Sequence, residues 1–330
     1  MTVSPEPTVV KVSELNALVD SVPYLLGFTP TESIVVVSLR EPRDRMHFTV
    51  RLDLLPSEYD DEVARMFAVR MKHAEADAVM VFVYTDEAPT GRALPRHDLV
   101  DRVVEEIPVD VRDAFLVTDE RVWSYTCDDT RCCPPEGKRR EQTPQSLTLA
   151  AAHALHGDVV LPDRDAVVAT VQPVTGERAE AMGAAIDEAA TAWAAMDGQR
   201  ARTKARRLAN KLRARYGAPP ATVGDGEAAA LIVAMHDWRI RDMLIGWASR
   251  DGDATCTLLL DLARLAVPPL DAPACTTLAM ASYLHGNGLV AMCAMERALD
   301  SDPHYSLALI LQEALDRQVP PSLLRDASIW

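Results

Sequence analysis

Ala78-Val79-Met80-Val81-Phe82-Val83-Tyr84 is the stretch on which the fold turns. Valines alternate with larger apolar residues, no Gly or Pro interrupts them, and the run is too short for a stable helix. It reads as a fully buried strand. Upstream, Val63, Met66, Phe67 and Arg70 fall at helical spacing in a segment that ends near His73, with Ser57 as the N-cap candidate. Downstream, residues 97–106 are helical until Pro108 stops them. Farther out, residues 34–39 are a β-branched strand. Residues 46–52 are a second strand with Met46, Phe48, Val50 and Leu52 on one face, and the turn at 41–44 makes the two a hairpin. Residues 114–118 and 121–125 are two more strands joined by Asp119-Glu120. The order β-β-α-β-α-β-β predicts a mixed sheet with helices on at least one face. Both connections around 78–84 pass through a helix, so the strands they join should run parallel. Ahead of this core, Ser13 can cap a short helix over 14–20. Pro23, Gly27 and Pro30 then predict an apolar loop over 22–30, buried or serving as a partner edge.

Beyond about residue 140 strand signals nearly vanish. Helical patterns cover 145–156, 177–196 and 200–216, residues 164–171 fit either a helix or a strand, and everything from 227 onward is helical. The fold class is therefore α/β, an N-terminal mixed sheet with helices followed by an all-helical C-terminal region. The expected domains are 1–145 (sheet and a cysteine loop), 146–220 (a helical connector with a basic helix) and 221–330 (helical hairpins). The hairpins rest on a repeat. Cys256, Leu260, Ala263 and Pro268 recur 35 positions later as Ala291, Met295, Ala298 and Pro303, and glycine-bearing turns at 251–253 and 286–288 precede the two sets. Small residues where helices approach and a proline past the second helix are the logic of a helical hairpin repeat. Residues 283–303 look tetratricopeptide-like, although the leading tryptophan is not matched and the units are too few to stand alone.

The chain has 330 residues, 34 Lys and Arg against 49 Asp and Glu, and a net charge of −15. Its 48% hydrophobic content fits a folded chain rather than a disordered one. The acidic balance opposes general binding to nucleic acid or anionic membranes unless a basic island exists. Residues 272–295 lack charged side chains, but Pro273, His285, Gly286, Asn287 and Gly288 divide them into two short helices rather than a membrane span. The polar start over 1–7 lacks a targeting pattern, and scattered cysteines do not resemble a secreted disulfide framework, so the expected location is the cytoplasm.

Three features carry potential chemistry. Cys127, Cys132 and Cys133 fall within seven positions, and His153 and His156 follow at a spacing that shares a helix face. Two thiolates and two imidazoles would make a structural zinc site. The same thiols could instead form a redox pair, or pack the loop against the sheet as small apolar groups. Arg200, Arg202, Lys204, Arg206, Arg207, Lys211, Arg213 and Arg215 make a basic helix without an acid, with Ala201, Ala205, Leu208 and Leu212 as its apolar stripe. It can meet nucleic acid, an acidic partner, or the acidic remainder of this protein. Trp238, Arg241, Asp242, Trp247, Tyr283 and Tyr305 are candidate partner-binding residues of the C-terminal helices. Arg241 and Asp242 are adjacent, so they are expected to find partners other than each other.

The segments 24–30 and 33–37, Trp123-Ser124-Tyr125-Thr126-Cys127, Cys132-Cys133-Pro134-Pro135-Glu136-Gly137, the pairs Arg164-Asp165 and Arg241-Asp242, and residues 286–303 together resemble the actinobacterial family called domain of unknown function 4192. The resemblance implies a bacterial cytoplasmic protein and assigns no activity, substrate or catalytic residue. With no catalytic constellation evident, the expectation is a binding or adaptor protein engaging a protein or peptide through its C-terminal helices, in preference to nucleic acid. The alternatives are a thiol- or zinc-dependent enzyme or sensor at the cysteine loop, and nucleic-acid binding through the basic helix.

Overall fold

In the computed structural model, which describes residues 10–90, 93–156, 159–218, 220–317 and 319–326, the valine run forms β3 (Ala78–Tyr84) and is buried along its whole length. The chain divides into two compact units, residues 1–164 and 165–330. The first contains a six-stranded sheet built from β1 (Ser33–Arg40), β2 (Arg45–Asp53), β3, β4 (Asp110–Val117), β5 (Arg121–Ser124) and β6 (Lys138–Arg139), in the order β2-β1-β3-β4-β5-β6. β3 pairs with β4 in parallel. β2 and β3 flank β1, each antiparallel to it, so they share a direction across it. Both helix-bearing connections thus join parallel strands, as expected.

The alternation of the strands sorts the core into two layers. Ile34, Val36, Val79, Val81, Val83 and Leu116 meet Val63, Phe67 and Met71 of α2 (Asp60–His73) and Leu99, Val100 and Val103 of α3 (His97–Glu106). On the other face, Val35, Val37, Met80, Phe82 and Phe115 meet Val19 and Val22 of α1 (Leu15–Leu26). α4 (Pro144–His156) packs on α1.

Two local expectations are corrected here. The segment expected as a loop over 22–30 is helical as far as Leu26: Pro23 lies inside α1, and the chain stops at Gly27, whose φ of +80° suits a residue without Cβ. Ser13 is not the cap. The Gln145 carboxamide oxygen of α4 accepts from the Ser13 and Glu14 amides at 2.9 and 3.1 Å, so a tertiary contact satisfies the helix start. Met46 does not share a face with Phe48, Val50 and Leu52, but packs with α1 on the opposite side. The β1–β2 register slips between Val37 and Leu39, and Ser38 Oγ takes up the Phe48 amide at 2.8 Å. One irregular residue reverses the alternation beyond it.

The second unit is helical: α5 (Arg164–Val171), α6 (Glu177–Ala194), α7 (Gly198–Tyr216), α8 (Asp225–Ala234), α9 (Trp238–Asp251), α10 (Asp253–Leu265), α11 (Ala272–Leu284), α12 (Gly288–Ser301), α13 (Ser306–Asp316) and α14 (Pro321–Asp326). Residues 164–171 are thus helix, not strand. All of α11 is buried, in keeping with a sequence that carries no charged side chain. It packs on α9, α10 and α12, and consecutive helices are joined by the two glycine-bearing turns. The repeat partners Ala263 and Ala298 are both fully buried, on α10 and α12. Among the described residues, no helix is long and apolar enough to cross a membrane.

An ion pair that sequence reading missed holds this unit. Arg297 of α12 reaches Asp271, which is fully buried, with Nε 3.1 Å and Nη2 2.9 Å from one carboxylate oxygen. The same guanidinium donates to the carbonyls of Val171, Ala263 and Ala266 at 2.6–2.8 Å, at the ends of α5 and α10. Ser301 Oγ donates to the other Asp271 oxygen at 2.5 Å. One side chain therefore satisfies helix-end carbonyls that would otherwise be buried without partners.

Candidate functional site

The loop between β5 and β6, residues 125–137, brings the three clustered thiols together. The Sγ atoms of Cys127, Cys132 and Cys133 all lie within 4.8 Å of one another, the one group of its kind among the described residues. Two anchors achieve this. Asp113 sits where the β3–β4 register slips past Arg112, and its Oδ1 accepts from Ser124 Oγ at 2.7 Å and Thr126 Oγ1 at 2.6 Å. Ser124 Oγ in turn accepts from the Cys127 amide at 3.0 Å. On the far side of the loop, the Asp129 carbonyl accepts from the Cys132 and Cys133 amides at 2.9 and 2.7 Å. Arg131 clamps the Asp129 carboxylate and holds its pKa below the usual range.

Trp123 fixes the loop's return to the sheet. Its Nε1 donates to the Pro135 carbonyl at 3.0 Å, and Gly137 packs flat against its indole. A Cβ on Gly137 would run into the Trp123 indole, and its φ of +74° also favours glycine. Arg121 donates to the Glu136 and Gly137 carbonyls at 2.8 and 2.9 Å.

The thiols border a cleft of about 180 Å³ walled by Leu15, Leu18, Phe115, Val122 and Trp123. Lys138 also lines it, with Nζ 3.9 Å from Cys132 Sγ. Cys132 is exposed, while Cys127 and Cys133 are half-buried. Burial, reinforced by hydrogen bonding to Cys127 and Cys132, pushes the Cys133 thiol up to about 12. The arrangement can therefore offer three soft ligands to one cation, or two sulfurs to each other.

The expected two-thiolate, two-imidazole set does not assemble in this way. His153 stacks on the Tyr24 ring at 4.0 Å between centroids and 6° between planes, and is not among the grouped ligands. The stack forms because the helix predicted to end at residue 20 continues through Tyr24 and packs on α4. The side chain of His156 lies outside the described residues.

The basic helix divides its charges. Arg202 pairs with Asp237 at 3.1 Å, Lys211 and Arg215 share Glu227, and Arg213 lies 4.6 Å over the Trp247 ring. The two cations hold the Glu227 pKa down to about 2. Arg200, Lys204, Arg206 and Arg207 are exposed. The buried stripe is Ala201, Ala205, Ala209, Leu212 and Tyr216, with Leu208 half-buried beside it.

The six candidate partner-binding residues scatter in role. Trp238 is 54% exposed, with Arg239 stacked 4.3 Å from its ring. Trp247 carries Arg213, and the Tyr283 hydroxyl donates to the Val319 carbonyl. Arg241 Nη1 donates to the Tyr305 hydroxyl at 3.0 Å. Contrary to expectation, Arg241 also bonds its neighbour Asp242, Nε to Oδ1 at 2.9 Å. The long arginine stem curls back across one residue, which helix-face spacing of shorter side chains does not anticipate.

The model of a family described as "Domain of unknown function (DUF4192)" matches residues 16–322 of this chain. No curated protein and no solved structure matches it.

Proposed function

The chain belongs to the family described as domain of unknown function (DUF4192), and from that premise we propose that it is a metal-thiolate protein whose Cys127, Cys132 and Cys133 hold one zinc ion. The observation that carries this reading is the convergence of three sulfurs within 4.8 Å. Tetrahedral zinc with Zn–S bonds of about 2.3 Å needs sulfurs about 3.8 Å apart, so shifts of about 1 Å or less complete the set. Charge supports it too. Three thiolates and Zn²⁺ sum to −1, and the Lys138 ammonium beside Cys132 offsets that charge. Three protein ligands leave a fourth position, which a water or a small ligand from the adjoining cleft can take. That cleft's apolar walls suit a sensor or a small-ligand site. Thiols kept reduced for metal binding belong in a reducing compartment, in keeping with a cytoplasmic location.

The test uses the full chain purified with reductant and loaded with zinc. The expected result is one zinc per chain, with Cys127, Cys132 and Cys133 protected from alkylation until a chelator is added. Cys127→Ser should abolish retention. No retained zinc, with all three thiols alkylating equally with and without the metal, would overturn the reading. A disulfide between two of them that persists under cytoplasmic redox conditions would replace it with the redox alternative.

A second reading, partner binding through the C-terminal helices, is favoured by the exposed Trp238 indole on α9. Exposed aromatic residues with an adjacent Arg are common anchors of protein interfaces. A photo-crosslinker at position 238 of the full chain in cells should trap one protein that a control position on α2 does not. Equal labelling at both positions would count against it.

A further inference from the structure

The cations of α7 fall into two classes, and the division points to a ligand. Four of them are neutralised or stacked within the helical unit, by Asp237, Glu227 and Trp247. The other four, Arg200, Lys204, Arg206 and Arg207, are exposed, and no acid of the described residues pairs with them. In a chain with 49 acidic residues, four neighbouring cations left unpaired are not explained by internal charge balance. Arg200, Lys204 and Arg207 fall at i, i+4 and i+7, opposite the buried stripe of Ala201, Ala205 and Ala209. With Gln199 and Thr203 they line an open groove of about 500 Å³.

We infer that this face of α7 binds the phosphate backbone of a nucleic acid duplex without reading its sequence. From Arg200 to Arg207 the helix advances about 10.5 Å, close to the rise of three nucleotides on one duplex strand at about 3.4 Å each. Arg206 lies about 100° around the helix from Arg207 and outside the groove, so the stripe offers three contacts. The N-terminal amides of α7 are not the seat, because the Asp197 carboxylate already accepts from the Gln199 and Arg200 amides. That carboxylate is the one acid lining the groove. The exposed face carries Thr203 and Asn210 between its cations and no aromatic ring, so single strands, which need stacking platforms, are not the fit. The Thr203 hydroxyl is committed to the Gln199 carbonyl at 2.8 Å, and Asn210 Nδ2 to the Arg206 carbonyl at 3.1 Å. This leaves guanidinium and ammonium groups as the binding chemistry, and these contact phosphate rather than bases. The net charge of −15 repels a duplex elsewhere on the surface, so binding should be orientated through α7 and steeply salt-dependent.

The experiment is fluorescence anisotropy of the full chain with a labelled 24-base-pair DNA of arbitrary sequence between 50 and 200 mM salt. Three neutralised phosphates predict a log–log slope of about −2.7, a loss of about 40-fold across that range. A second sequence of the same length should bind equally. Arg200→Gln, Lys204→Gln, Arg206→Gln and Arg207→Gln combined should abolish binding while the helical circular dichroism and melting temperature of the protein stay as they were. Should that variant fail to fold, Arg200→Gln with Arg207→Gln should flatten the slope by about 1.8. Undetectable binding at 50 mM salt, an unchanged slope in either variant, or displacement of the duplex by polyglutamate at equal charge would overturn the proposal. The last of these would assign the face to an acidic protein instead.

Discussion

Each half of the chain carries three cysteines, and the two trios behave differently. In the sheet unit, Cys127, Cys132 and Cys133 occupy one irregular loop and their sulfurs converge beside a cleft. In the helical unit, Cys256, Cys275 and Cys293 sit on three separate helices and pack into one apolar cluster, the last two buried. Thiol chemistry is the same in both. What differs is the backbone: regular helices distribute side chains around a cylinder, whereas a loop pinned by Asp113, Asp129 and Trp123 can fold several onto one point. Buried charge differs in degree. The sheet unit's buried aspartate, Asp60, pairs with Arg96, which also holds the Leu55 carbonyl, whereas the helical unit buries at its centre the Asp271–Arg297 pair, whose arginine holds three carbonyls.

The comparison can be broken most forcibly at that buried pair. Arg297→Ala leaves Asp271 and three helix-end carbonyls without their partner and should destabilise the helical unit by about 3–5 kcal/mol. Urea unfolding followed by circular dichroism should show the helical transition moving while the Trp123 environment in the sheet unit is unchanged. A change below about 1 kcal/mol would show that the pair is not the staple inferred here.

Next in size is Gly137→Ala, which places a Cβ against the Trp123 indole at a positive φ. The expected cost is about 2 kcal/mol, confined to the sheet unit, with zinc retention reduced because the return of the loop is displaced. The two trios are then compared directly. Cys275→Ser buries a hydroxyl in the apolar cluster and should cost about 1–2 kcal/mol with zinc retention unchanged. Cys127→Ser should do the reverse, abolishing zinc retention and shifting the metal-free melting temperature by no more than a degree or two.

One member of each trio shares a titration property: burial pushes both the Cys133 and the Cys275 thiol up to about 12, from 9.0. The folded state therefore holds these protons more tightly than the unfolded chain. Their contribution to stability is complete below pH 9 and is lost as pH rises from 9 toward 12. Metal-free protein should lose stability across that window, in both units, and zinc binding should remove the part due to Cys133 by replacing its proton. The smallest effect is expected at Glu227, whose carboxyl is held at about 2 by Arg215 and Lys211. It contributes above pH 4.5, and the contribution falls away toward pH 2. Because the pair faces solvent, Glu227→Gln should cost no more than about 1 kcal/mol at neutral pH.

Much of the architecture was readable from local spacing. β3 and α3 fall where the alternation of 78–84 and the helical period of 97–106 place them. The two glycine turns separate the C-terminal helices where the repeat predicts. Misreadings occurred where a distant residue overrode a local signal. Pro23 is tolerated because α1 is packed on the sheet and on α4, and an extra residue of β2 opposite Ser38 reverses the facing of Met46. Arg297 did leave a trace, since it follows Cys293 and Ala294 by four and three positions on the buried side of α12. An arginine there signals a partner, although not which one. At the cysteine loop, the density of thiols was legible and their convergence was not. His153, three residues before His156, looked like a ligand and is instead an aromatic partner of Tyr24.

Patterning between near neighbours sets the periodic elements, the divide between a sheet-bearing and a helical region, and the residue types available for chemistry. These follow from alternation, helical spacing and turn residues, which act between near neighbours. Long-range packing brings three sulfurs together, turns Arg297 inward, and leaves four cations of α7 without an acidic partner among the described residues. Each depends on where a loop or a helix end comes to rest against residues far away in the chain, and that position is set by the packing of the whole unit.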